Sequence, residues 1–139
     1  MNIKKLLIGG ITGGILFFLL GWLTYGNLLA NFMKNNPGTV MGVERTEIGF
    51  LYLVVGNLLA GLLFTYIFLR ANVHTVSDGL LTAAVVGFLM TASFDSVMYA
   101  TTFIASKKMI LADTIAYTVM SGIVGAAIAF VLSKFNGKS

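Results

Sequence analysis

The chain has 139 residues, of which 58% are hydrophobic and 10% are charged, and its formal net charge is +4. The mean hydropathy is +0.93. Because about a quarter of the residues of a soluble domain are charged, this composition excludes an ordinary soluble domain and predicts an integral membrane protein. The sequence contains no cysteine, which excludes disulfide bonds, thiolate metal sites and thiol catalysis.

Four apolar stretches are each long enough to cross a hydrocarbon core of about 30 Å as a helix that rises about 1.5 Å per residue. They cover residues 6–29, 48–69, 79–103 and 111–132. The short connections between them predict antiparallel neighbours. We therefore predict an all-α integral membrane fold, a four-transmembrane-helix up-down-up-down bundle that forms one domain over residues 1–139.

The first stretch follows Lys4 and Lys5 and is too long for the apolar core of a signal peptide, so we interpret it as a retained span. Four spans place both termini on one side of the membrane. Lysine and arginine residues number five on that side and four on the other, and two of the five lead the first helix. The positive-inside rule then favours cytoplasmic termini.

The first connection, about 30–47, is the longest one. Its cluster of Glu44, Arg45 and Glu47 is typical of a solvated loop. The second connection contains His74, the only histidine. A metal site would need further histidine, cysteine or carboxylate ligands at fixed spacing, so we predict no metal and no cofactor.

Two pairs of stretches align with each other and predict an internal duplication. The first and third align at an offset of 70 residues, which places Tyr25 opposite Asp95. The second and fourth align at an offset of 66, which places Gly56 opposite Gly122. The interpretation is a helical hairpin used twice, with halves related by a pseudo-two-fold axis along the membrane normal. The alternative is that apolar helices share a small alphabet and align easily.

Small residues at helical spacing predict where helices approach closely, because lipid gives apolar helices no hydrophobic reason to associate. The candidates are the pairs Gly9–Gly13 and Gly10–Gly14, the ladder Ala92, Ser96 and Ala100, and the pair Gly122 and Ala126. Two interpretations stay open. These residues form seams within one bundle, or they form a homodimer face, for which the first helix is the best candidate.

Asp95 and Asp113 are the only charged residues inside the four stretches. Asp113 falls in the first turn of the fourth stretch, so we interpret it as a helix-start residue. Asp95 lies about 12 Å from the end of the third stretch. An ionised carboxylate at such depth costs about 2.5–3.5 kcal/mol on insertion scales. We therefore expect Asp95 to face the bundle, to be protonated or to touch water.

Several polar residues are candidate partners for Asp95, because they share its helix face or lie near the same end of the first two helices. They are Thr91, Tyr99, Asn27, Tyr25, Trp22 and Asn57. A snorkelling Lys107 or Lys108 is a further candidate. One interpretation is a proton or cation site, or a contact to a polar ligand. The other is a helix–helix hydrogen bond that fixes the register of packing.

The segment Leu-Gly-Trp-Leu-Thr-Tyr-Gly-Asn-Leu-Leu at 20–29, followed by Phe32-Met33-Lys34, resembles a family of small bacterial four-span proteins catalogued as domain of unknown function 1761. The Asp78-Gly79-Leu80 start of the third stretch and the glycine-rich fourth stretch are also similar. The resemblance implies four helices and a bacterial inner-membrane location. It supplies no activity and no binding residue.

The expected function is that of a non-enzymatic structural or accessory unit, which self-associates or joins a larger membrane complex. One alternative is a small transporter or channel for protons, cations or a small polar solute that uses Asp95, and another is a lipid-binding module. We predict no enzymatic activity, because the sequence has no phosphate loop, nucleophile elbow or Ser/His/Asp set. The basic residues flank the spans, as lipid-headgroup contacts do, so the lipid bilayer is a predicted partner and nucleic acid is not.

Overall fold

The computed structural model describes residues 1–136, with Asn136 described by its backbone alone. Its elements are α1 (Ile3–Leu23), a π-helical segment (Thr24–Leu28), α2 (Ala30–Asn35), α3 (Phe50–Ala71), α4 (Val76–Thr101) and α5 (Lys107–Asn136). Four helices are long and apolar enough to cross a membrane: α1 with the π-helical segment, α3, α4 and α5. The predicted all-α class and four-helix bundle are confirmed, and the chain is a multi-pass membrane protein.

Helices α1, α4 and α5 begin before their apolar stretches because a polar side chain caps the first turn of each. Ser106 Oγ accepts a hydrogen bond from the backbone N–H of Met109 at 3.1 Å, at the start of α5. Helix α5 therefore begins four residues before the predicted span, and Asp113 lies in its second turn. The interpretation of Asp113 as a first-turn residue is wrong for this reason.

Helices α1 and α5 form the middle of the bundle, with α3 packed on the outside of α1 and α4 on the outside of α5. Close approaches bring Gly13 of α1 to Gly61 of α3, and both Gly79 and Ala83 of α4 to Gly125 of α5. The ring of Phe17 fills the centre, with its centroid 5.3 Å from that of Phe64 and 5.8 Å from that of Tyr117.

The four glycines Gly9, Gly10, Gly13 and Gly14 are buried between helices. A Cβ added at Gly13 would lie 2.9 Å from the Cα of Gly61, which is closer than side chains normally approach a backbone. The predicted GxxxG pairs are thus seams inside the chain. They leave no glycine face on α1 for a second copy.

The packed face of α4 differs from the predicted ladder. The buried residues recur every four positions and are Gly79, Ala83, Gly87, Thr91 and Asp95. In the predicted ladder, which lies one residue further along, Ser96 and Ala100 are exposed and Ala92 is half-buried. Side-chain size could not distinguish these faces, because α4 carries small residues on both.

On α5, Gly122 is buried and Ala126 is half-buried, as seam residues are.

The contacts do not follow the predicted pseudo-two-fold axis. Such an axis would pair α3 with α4 just as α1 pairs with α5, but α3 and α4 barely touch. Gly61 of α3 packs on Gly13, and Gly125 of α5 packs on Ala83, which corresponds to Gly13 at the offset of 70. Gly61 and Gly125 therefore correspond at an offset of 64 residues, whereas the sequence alignment has 66. A duplication of the hairpin stays a prediction, and a symmetric packing of its halves is wrong.

The first and third connections lie at the same end of the bundle and are joined by backbone hydrogen bonds. The N–H of Thr39 donates to the carbonyl of Phe103 at 3.0 Å, and the N–H of Gly38 donates to that of Ile104 at 3.2 Å. Ser106 Oγ also donates to the carbonyl of Asn36 at 2.6 Å. The long first connection is therefore fixed over the end of α4 and α5, where the candidate site lies.

Candidate functional site

Asp95 is buried in the interface between α4 and α5, with 3% of its surface exposed. Its carboxyl oxygen Oδ2 accepts a hydrogen bond from Thr114 Oγ1 on α5 at 3.1 Å. Thr91, one turn earlier on α4, lies 3.4 Å from the same oxygen. The carboxyl group therefore faces the bundle, as expected of an acid at this depth.

Asp113 is the second acid of the site. The Oγ1 of Thr91 lies 3.4 Å from Asp113 Oδ2, so a single hydroxyl touches both carboxyl groups. Asp95 lies six residues before the end of α4, and Asp113 lies six residues after the start of α5. The two helices are antiparallel neighbours, which brings the carboxyl groups to the same depth, about 9 Å from the helix ends. We name Asp95, Asp113 and Thr91 the acid pair with its bridging threonine.

The surroundings of the acid pair contain hydroxyl groups. Among the described residues 1–136, the neighbours of the two carboxyls include Thr91, Thr114, Tyr25, Tyr117 and the other carboxyl of the pair. None of these groups carries a positive charge. A buried carboxylate is normally paired with a cation or bound to a metal, so this pair lacks its usual compensation.

Tyr25 reaches the acid pair from the π-helical segment that follows α1. The backbone there closes a wider turn, in which the N–H of Leu29 donates to the carbonyl of Thr24 at 2.7 Å. Single π-helical turns are frequent at functional sites, because they rotate the side chains that follow. The phenol of Tyr25 lies beside the carboxyl group of Asp113.

A cleft of about 330 Å³ leads from the hydrogen-bonded connections to Asp113. Its polar residues are Tyr25, Asp113 and Glu44, the last of which comes from the first connection. The rest of the lining is apolar, including Met33, Met98, Met109, Ala105 and Ile110. Asp95 is not part of the lining, and the Thr91 hydroxyl connects it to Asp113, which is.

The structure brings together three of the predicted site residues, Asp95, Thr91 and Tyr25. Trp22 is 65% exposed on the outside of the bundle. Asn27 donates to the carbonyl of Trp22 at 3.1 Å, and Asn57 donates to that of Leu53 at 2.7 Å, each within its own segment. These asparagines satisfy their side chains locally, so the prediction that they contact Asp95 is wrong.

Tyr99 is likewise separate from the acid pair. It is 40% exposed and lines a different cavity, together with Thr39 of the first connection and Phe103 of the third.

Asp113, Thr114 and Glu44 belong to the site but were not among the predicted site residues. A signal for the first two was present, because two acids flanking a short connection fall at equal depth in an antiparallel hairpin. Glu44 had no such signal, since its place over the cleft depends on hydrogen bonds between two connections.

A second groove, between α1 and α3, is wholly apolar and has a volume of about 220 Å³. Its walls include Gly14, Phe18, Phe50 and Leu58. It faces the lipid side of the bundle and contains no group that could perform chemistry.

Comparison of the chain with protein-family models, with curated proteins and with solved structures finds no match. The resemblance to the domain of unknown function 1761 family stays a prediction. The features of the chain that indicate a function are the acid pair, its hydroxyl neighbours and the cleft.

Proposed function

We propose that the protein is a small non-enzymatic membrane transporter in which the acid pair binds a proton or a cation during transport. The observation that carries the proposal is the continuous connection from the cleft to Asp113, through the Thr91 hydroxyl, to the buried Asp95. A helix–helix hydrogen bond that only fixes register needs one carboxyl group and no opening to water.

The physical basis is the charge of the two carboxyl groups. Two ionised carboxylates inside a bundle repel each other and lose their hydration, which makes them expensive in the absence of a positive partner. A proton or a cation placed between them removes most of that cost. Ionisable residues inside spans commonly mark ion pathways and proton relays for this reason.

The cleft opens at one end of the bundle. Beyond the acid pair, towards the chain termini, the rings of Phe17, Phe64 and Tyr117 close the interior. Transport in this proposal requires a second arrangement that opens this aromatic cluster. With cytoplasmic termini in a bacterial inner membrane, the cleft faces the opposite side, where a transporter would take up or release its solute.

The test is charge translocation by the purified full chain in proteoliposomes, recorded as a current on a solid-supported membrane. An applied proton or cation gradient should give a current with the wild type, and Asp95→Asn should abolish it. Asp78→Asn is the matched control, because Asp78 is an exposed acid at the opposite end of α4. A wild type without current, or an Asp95→Asn variant with normal current, would overturn the proposal.

A second candidate function, a self-associating or accessory unit, is favoured by the small residues that α4 leaves exposed. Ser96 and Ala100 face outwards beside the half-buried Ala92, and faces of this kind let helices approach closely in lipid. Because the chain has no cysteine, Ser96→Cys provides a single probe. Cross-linking to a dimer in native membranes, absent for Ile11→Cys on the outside of α1, supports this function; a monomer with both probes contradicts it.

A further inference from the structure

The lining of the cleft combines two kinds of surface. Asp113 and Glu44 supply carboxyl groups, and the phenol of Tyr25 lies beside the first of them. Three methionines line the remaining wall together with smaller aliphatic groups. The volume of about 330 Å³ is at the low end of the range of about 300–1,000 Å³ for small-molecule sites.

We propose that the cleft binds a small organic monocation, with its charged group against Asp113 and its apolar part against Tyr25 and the methionines. This inference rests on the proposed function, since it names the solute class of the same site. The positive group of the ligand supplies the compensation that the acid pair lacks. Tyr25 contributes apolar ring surface to that part of the ligand, and methionine thioethers adapt to varied apolar shapes.

The lining argues against other ligand classes. Hard inorganic cations prefer six or more oxygen ligands, whereas most of this wall is apolar. Within residues 1–136 no group of three or more histidine, cysteine or acidic residues could hold a metal ion. An anion would meet two carboxyl groups and no basic side chain of the cleft lining, and a neutral apolar ligand would leave the carboxyl groups desolvated and unpaired.

The two acids of the cleft have different positions, and we expect different contributions from them. Asp113 is half-buried and fixed on α5 beside the bridging threonine. Glu44 is exposed on the first connection, at the mouth of the cleft. Loss of the buried partner of a charge pair weakens binding strongly, whereas an exposed partner contributes little.

The experiment measures binding of benzyltrimethylammonium to the purified full chain in lipid nanodiscs by equilibrium dialysis. Its neutral isostere, neopentylbenzene, has carbon in place of the charged nitrogen and controls for partition into lipid. Binding of the cation should saturate at one site per chain, and binding of the isostere should increase linearly with lipid. This comparison uses the wild type and does not depend on the folding of a variant.

The variants then locate the bound cation. Asp113→Asn should weaken binding about tenfold or more, and Glu44→Gln about two- to fivefold. Asp113→Glu, which keeps the charge, should recover most of the affinity. Asp78→Asn and Glu47→Gln are the matched controls and should bind like the wild type, since the first lies at the other end of α4 and the second is an exposed acid outside the cleft lining.

The outcomes separate this inference from the proposed function. A proton or sodium current that is lost in Asp95→Asn, without saturable binding of the organic cation, overturns the inference and leaves transport standing. Saturable binding of the organic cation without any current overturns the proposed transport and leaves the binding site standing. Binding that is equal in Asp113→Asn and the wild type, or one-site binding of silver ion in place of the organic cation, overturns the inference. The silver result would indicate that the methionine thioethers bind a soft metal ion.

Discussion

Asp95 and Asp113 come from different helices, yet one threonine hydroxyl lies 3.4 Å from a carboxyl oxygen of each. The hydroxyl has a single proton and can donate to one carboxyl group at a time. The arrangement therefore links the buried acid to the acid that lines the cleft. It also gives the α4–α5 interface a polar contact among small residues.

The bridging hydroxyl should contribute to stability. Thr91→Val keeps the side-chain shape but removes the one donor that the two carboxyl groups share, and we expect a loss of about 1 kcal/mol in the free energy of unfolding. Thr101→Val is the control, because Thr101 is exposed and bonds only the carbonyl of Val97 in its own helix. Unfolding in mild detergent with added denaturant measures both. Equal stability of the two variants would contradict a structural role for the bridge.

Close backbone approach should make one glycine of α3 far more sensitive than another. A Cβ at Gly61 would contact the backbone of Gly10, Gly13 and Gly14, whereas a Cβ at Gly56 would meet no atom within 4 Å. We expect Gly61→Ala to lower the free energy of unfolding by about 1–3 kcal/mol through overpacking. The matched Gly56→Ala should be neutral or slightly stabilising, because alanine favours helix. A similar loss for both variants would contradict the close approach of Gly61 to the α1 backbone.

The contact between the first and third connections can be tested by an engineered disulfide. Pro37 and Ala105 form an isolated antiparallel bridge, a pairing whose Cα separation of about 4.5–5.5 Å suits a disulfide. Pro37→Cys with Ala105→Cys should oxidise readily, seen as loss of reactivity towards a maleimide-polyethylene glycol reagent on gels. Pro37→Cys with His74→Cys, at the other end of the bundle, should keep both thiols. If the first pair also kept free thiols, the first and third connections would not be in contact.

The spans and fold class follow from hydropathy, because a polar backbone in lipid leaves a long apolar segment little choice but a helix. Helix ends were less predictable. The sequence of 107–110 starts with two lysines, yet α5 already includes it, because Ser106 caps the helix and lysines at the interface can extend into water. Because of that error of one turn, the proximity of Asp113 to Asp95 was not predicted.

The face that each helix packs into the bundle was also hard to predict from the sequence. Gly13 and its neighbours were predictable as packing residues, whereas α4 carried small residues on two adjacent faces and composition could not choose between them. The choice depends on what α5 presents, namely Ser121 and Gly125 against Gly87 and Ala83. The position of Tyr25 depends on a π-helical turn, which has no local sequence signal.

The most direct measurement of the central claim is a double-mutant cycle on the transport current. Asp95→Asn, Asp113→Asn and the double variant are compared with the wild type in proteoliposomes, with variant folding checked by thermal unfolding. If the acid pair is one functional site, each single substitution abolishes most of the current and the double variant is no worse than either. Independent, multiplicative losses, or a single variant with wild-type current, would contradict the claim that Asp95 and Asp113 act as a unit.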